Sequence, residues 1–98
     1  MGETDNHMGN LMKDSIEWDG HVIEVVHSVE GIATSRLDLR VDGASKDFLK
    51  GKEIKKGAIL KATTSDGNKV CAEIRPNLLA VSVKIKYNDR EVKSFVLM

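Results

Sequence analysis

Cysteine is all but missing. Cys71 is the only one, so no disulfide can form within the chain, and the disulfide-built scaffolds of small secreted domains are excluded. A lone thiol fits a reducing compartment, and the cytoplasm is the expected location. Aromatic residues are scarce as well: Trp18, Phe48, Tyr87 and Phe95 are the four, which leaves the core to Val, Ile, Leu and Ala. The same scarcity counts against single-stranded nucleic acid as a partner, because such binders stack bases on exposed rings. No apolar run approaches the roughly 18 to 20 residues that a membrane-crossing helix needs, so no membrane association is expected. Met1 to Asn10 is polar and acidic, where a secretory leader would be basic and then apolar.

What is present is the balance of an ordinary soluble domain. With 98 residues, 41% hydrophobic and 31% charged, the chain has enough apolar material for one modest core and too little for two. Net charge is zero, but residues 1–50 carry five basic and ten acidic side chains and residues 51–98 carry ten and five. A chain polarised in this way favours head-to-tail self-association or a basic patch for an anionic partner, unless packing interleaves the signs.

The clearest pattern is an alternation of period two. In Arg36 to Val41, Leu37, Leu39 and Val41 point one way and Arg36, Asp38 and Arg40 the other, and Asp42-Gly43 then turns the chain. The pattern returns 46 positions later, where Val83, Ile85 and Tyr87 oppose Lys84 and Lys86 ahead of Asn88-Asp89. The third strand is expected to run from Ile32 to Val41, and others from Lys13 to Trp18, from His21 to Ser28, around Phe48 and Leu49, from Ala58 to Thr64, from Lys69 to Arg75 and from Arg90 to Leu97. The long seventh strand is expected to run from Leu78 to Tyr87. In the second strand Val22 and Val26 oppose Ile23 and Val25, as in a strand covered on both sides. Asp19-Gly20 is a strong hairpin signal, since glycine accepts the positive φ of a tight turn. Lys52 to Lys56 is short enough to be a loop or a single helical turn. Turn centres pair as Asp19 with Asp66, Glu30 with Pro76 and Asp42 with Asn88, at offsets of 47, 46 and 46. The expected architecture is therefore all-β: an antiparallel eight-stranded sandwich built from two similar four-stranded units over residues 13–98, preceded by a mobile tail over 1–12.

No catalytic motif emerges. His21 and His27 stand roughly 20 Å apart along one strand, too far to share a metal, and no Cys-x-x-Cys or His-x-His spacing supplies further ligands. Cys71 lies between Lys69 and Glu73 on one face with no histidine to pair with. The carboxylates Asp14 and Glu17, Asp38 and Asp42, and Asp89 and Glu91 lie at turns or on polar strand faces. Neither cofactor nor metal is expected. The strongest candidate surface is basic: Lys69 and Arg75 on one strand and Lys84 and Lys86 on the next form a patch of four cations, which Lys52, Lys55, Lys56 and Lys61 would extend. With the chain neutral overall, nucleic acid remains an unfavoured partner for it.

Trp18-Asp19-Gly20-His21, then Val25-Val26-His27 and Val41-Asp42-Gly43, resemble landmarks of the Fas apoptotic inhibitory molecule family, and Val83 to Val92 is similar to that family's last hairpin. The resemblance implies an antiparallel β-sandwich without enzymatic activity that works through protein–protein contacts. Together these observations predict a non-catalytic interaction module with a protein partner, reached through an exposed edge such as Lys13 to Trp18 or Arg90 to Leu97, with homo-oligomerisation a further expectation. A small-ligand or lipid carrier is the alternative; it requires open space between the sheets, near the small residues Ala72, Ala80 and Val81.

Overall fold

The computed structural model describes residues 12–32 and 34–97, so the expected tail lies outside the described residues except for Met12, which already belongs to a strand. Eight strands and one helical turn follow in order: β1 Met12–Trp18, β2 His21–Glu30, β3 Thr34–Val41, β4 Ala44–Lys50, α1 Lys52–Lys56, β5 Ala58–Thr63, β6 Lys69–Pro76, β7 Val81–Tyr87 and β8 Arg90–Leu97. They form two antiparallel four-stranded sheets, β1-β2-β3-β4 and β5-β6-β7-β8, each strand paired with its sequence neighbour. The expected sandwich of two similar units is what the chain forms.

Alternation places the core. Ile23 and Val25 from β2 and Leu37, Leu39 and Val41 from β3 meet Val70, Ala72 and Ile74 from β6 and Val83, Ile85 and Tyr87 from β7, all buried. Each such aliphatic side chain contributes roughly 1.5 to 3 kcal/mol by leaving water. In β2, Val26 is buried on the outer side while Val22 is partly exposed, so this central strand is covered on both faces over only part of its length.

The turns are built as their residues demand. Asp19 and Gly20, Asp42 and Gly43, and Asn88 and Asp89 all have positive φ, the pattern of the two-residue turn whose twist matches that of the flanking strands. Gly57, where α1 hands the chain to β5, has φ 78°, and a Cβ there would stand 2.9 Å from the Ile74 carbonyl oxygen.

The internal repeat reaches individual hydrogen bonds. The Val22 N–H donates to the Asp42 carboxylate and the Lys69 N–H donates to the Asn88 side-chain oxygen, each at 2.9 Å. The β3–β4 register shifts between Leu39 and Arg40, and the β7–β8 register shifts between Ile85 and Lys86, again an offset of 46. Even the seams between the sheets correspond, with chemistry reversed. Lys93 donates to the Asp14 carboxylate at 2.7 Å and to the Ser15 carbonyl at 2.8 Å, whereas Asp47, its counterpart, accepts the Lys61 N–H at 3.0 Å.

Several expected boundaries move: β2 runs on to Glu30, β3 starts at Thr34 rather than Ile32, and β4 begins at Ala44. The seventh strand starts at Val81, not Leu78, because Asn77 builds a turn first: its side-chain oxygen accepts the N–H groups of Leu79 and Ala80 at 2.9 Å, and its own N–H donates to the Ala80 carbonyl at 2.8 Å. The two leucines therefore occupy the tip of a tight turn.

Candidate functional site

Connectivity sorts the loops into two groups. The turns β1–β2, β3–β4, β5–β6 and β7–β8 gather at one end of the sandwich, while the β2–β3 turn, α1 and the β6–β7 turn gather at the other. Between the ends lie the two outer faces, and the basic patch sits on one of them.

Lys69, Arg75, Lys84 and Lys86 do share the outer face of the second sheet, but each has an acidic partner. Lys86 lies 2.8 Å and Arg75 3.4 Å from Glu73, Lys84 lies 3.8 Å from Glu91, and Lys69 lies 4.0 Å from Asp89. The Lys86 ammonium holds Glu73 below its usual range, and Glu73 in turn raises Lys86. The sequence places Glu73 on this face; its position among the cations emerges only from the β6–β7 register. The first sheet's outer face is laced in the same way, with Glu24 between Lys13 and Arg40, Glu30 between Arg36 and Lys50, and Asp38 beside Arg36 at 2.8 Å. Neither face presents a field of unneutralised charge.

At the hairpin end, buried His21 bridges the two sheets. Its Nδ1 is 2.7 Å from Asp42 Oδ2 and its Nε2 is 3.0 Å from Asp66 Oδ1. Carboxylate oxygens only accept, so both ring nitrogens donate and the geometry is that of an imidazolium. The hydrogen bond to Asp42 raises the His21 pKa, with Asp66 adding to it. Asp42 is lowered chiefly by His21, and Asp66 by the Thr64 hydroxyl and then by His21. A second bridge runs the opposite way: the Tyr87 hydroxyl donates to Asp19 at 2.7 Å, and burial with that bond pushes Tyr87 up to about 12. With both ring nitrogens engaged, His21 is a sheet-to-sheet tie, and among the described residues no group of His, Cys, Asp and Glu is arranged to hold a metal. Cys71 is half-buried on the outer face, opposite Lys61 and Lys86.

The loop end is chemically different. Ile32 in the β2–β3 turn and Leu78 in the β6–β7 turn are fully exposed, and Leu79 is 86% exposed. The two turns occupy equivalent positions in the repeat. Between the sheets at this end, His27, Leu37, Ile54, Val81 and Leu97 line an apolar cavity of about 270 Å³. His27 Nδ1 is buried there without a hydrogen-bond partner. The open space thus lies beside Val81, whereas Ala72 is sealed in the core. Helix α1 seats Ile54 in the interior and leaves Lys52, Lys55 and Lys56 exposed. Its one carboxylate, Glu53, turns back to accept the Lys50 N–H at 3.1 Å. Among the described residues no carboxylate forms an ion pair with these three lysines. Sequence reading placed a turn at Pro76-Asn77 but started strands at Ile32 and Leu78, so it assigned all three apolar tips to strands; the turn in fact continues to Ala80.

No protein-family model, no curated protein and no solved structure matches the chain. Among the described residues no helix is long and apolar enough to cross a membrane.

Proposed function

We propose that this is a non-catalytic binding domain that meets its partner with the loop end of the sandwich, in a reducing compartment such as the cytoplasm. The observation that carries this reading is the pair Leu78 and Leu79, held at the tip of a hydrogen-bonded turn and open to solvent. A turn of that kind is normally polar, and leucines maintained there by a built structure mark a contact surface. The edge-strand route has less support. Lys93 engages the Ser15 carbonyl of edge strand β1, and Asp47 engages the Lys61 N–H of edge strand β5, which blunts both edges. Charge pairing on the outer faces likewise favours the loop end over the basic patch.

Capture from nuclease-treated whole extract tests the proposal, using the native chain and two variants whose fold has been checked. Leu78→Ser with Leu79→Ser is expected to abolish specific retention, while Lys84→Glu with Lys86→Glu retains it. The reverse pattern would move the contact to the outer face of the second sheet.

A further inference from the structure

We infer that the partner of the loop end is an anionic lipid surface, on which the protein docks by inserting the tips of its two equivalent turns. This rests on the loop end being the contact end, and it names what is contacted.

Three features converge. First, the apolar groups protrude. Ile32, Leu78 and Leu79 stand out on turns rather than forming a flat patch or lining a groove. A protein partner would need a pocket for each tip, whereas the interfacial region of a bilayer accepts protruding leucine and isoleucine without matching shape. Second, the cations beside them are available. Lys52, Lys55 and Lys56 are exposed around buried Ile54, and the nearby acids are engaged: Glu53 by the Lys50 N–H, and Glu30 by Lys50 at 3.1 Å and Arg36 at 3.4 Å. Lysine stems lie along an apolar boundary while their ammonium groups remain with lipid phosphates and carboxylates. Third, the turn aspartates gather at the opposite end, where His21 lies between Asp42 and Asp66 and Lys69 lies 4.0 Å from Asp89. Asp19, Asp42, Asp66 and Asp89 all occupy turns at the hairpin end. Lys52, Lys55 and Lys56 thus lie at the end with the apolar tips, and a negative potential like that of a cytoplasmic leaflet attracts that end.

The chemistry also sets the form of binding. One apolar anchor or one basic cluster alone gives marginal, reversible attachment, and the two together give stable docking. A lysine near an anionic leaflet contributes roughly five-fold in partitioning, so the three on α1 matter only when the lipid is charged. That no helix among the described residues is long and apolar enough to cross a membrane does not bear on this mode, in which the protein lies on the surface.

Co-sedimentation of the full chain with vesicles is the test. Phosphatidylcholine mixed with phosphatidylserine is expected to bind the protein, with binding reduced as salt rises; phosphatidylcholine alone is expected to bind it at least about ten-fold more weakly. Lys52→Gln, Lys55→Gln and Lys56→Gln together should erase that preference, and Leu78→Ser with Leu79→Ser should lower binding to both lipids by about ten-fold or more. A Leu78→Trp variant should show a blue-shifted emission on anionic vesicles, while Trp18, at the hairpin end, reports no change. Equal binding to both lipids, or no loss in the leucine variant, overturns the inference. If vesicles are not bound but extract capture still depends on Leu78 and Leu79, the partner is a protein and the contact end stands. If mass in solution shows a dimer that the leucine variant dissociates, and vesicles are not bound, the occupant is a second copy of the chain. Loss of both vesicle binding and tip-dependent capture removes the contact end as well.

Discussion

His21 shows at the scale of one residue how environment decides what a side chain does. Composition offers it as a metal ligand or a bystander, yet two carboxylates from different turns make it a cationic tie between sheets. Its stabilising contribution depends on pH with a definite sign. The folded pKa is raised above 6.5, so the contribution is complete below that value and is lost as the pH climbs through the raised folded pKa. Asp42 and Asp66 have pKa values lowered from 3.8, so their share is complete above 3.8 and is lost as the pH falls through their depressed values. Thermal unfolding from pH 4 to pH 9 should therefore show, relative to a His21→Leu variant, an advantage of the native chain that fades on the alkaline side. An advantage that grows with pH would contradict the imidazolium assignment. None of this was legible in the sequence, because Asp66 lies 45 positions from His21 and its approach requires both sheets to be assembled.

At the scale of elements, alternation and turn chemistry made most strands readable. Leu37, Leu39 and Val41 and their counterparts Val83, Ile85 and Tyr87 point inward as their spacing requires. The failure at Leu78 has the same origin as the successes. An apolar pair ahead of an alternating segment reads as more strand, and only the side chain of Asn77, competing for the N–H groups of Leu79 and Ala80, stops it. The register shifts near Arg40 and Lys86 were equally invisible, since a bulge leaves no compositional mark. At the junction of α1 and β5, Gly57 combines a positive φ with a neighbour 2.9 Å from any added Cβ. Gly57→Ala should cost about 2 kcal/mol or more in denaturant unfolding, because the backbone must leave its conformation or push β6 away. A change below about 0.5 kcal/mol would show that this junction is more pliable than its geometry implies.

For the whole molecule, the repeat and the charge distribution point the same way. Two similar units place their equivalent turns at common ends, so one end collects aspartates and the other collects apolar tips and lysines. The split of charge between the two halves of the sequence becomes a split between the two sheets, since each half forms one of them. Acids and bases pair on both outer faces, and the three lysines of α1 lie at the loop end. The basic patch was legible as residues and illegible as a site, because most of its neutralising partners lie on neighbouring strands or turns and meet the cations only once the strands are in register. The central claim is that contact is made by the loop end. Backbone amide NMR of the native chain titrated with mixed phosphatidylcholine/phosphatidylserine nanodiscs tests it most directly. Signal loss should concentrate at Ile32, Leu78, Leu79 and α1 and spare the hairpin end. Loss centred on Lys69, Arg75, Lys84 and Lys86, or spread evenly over both sheets, would contradict the account.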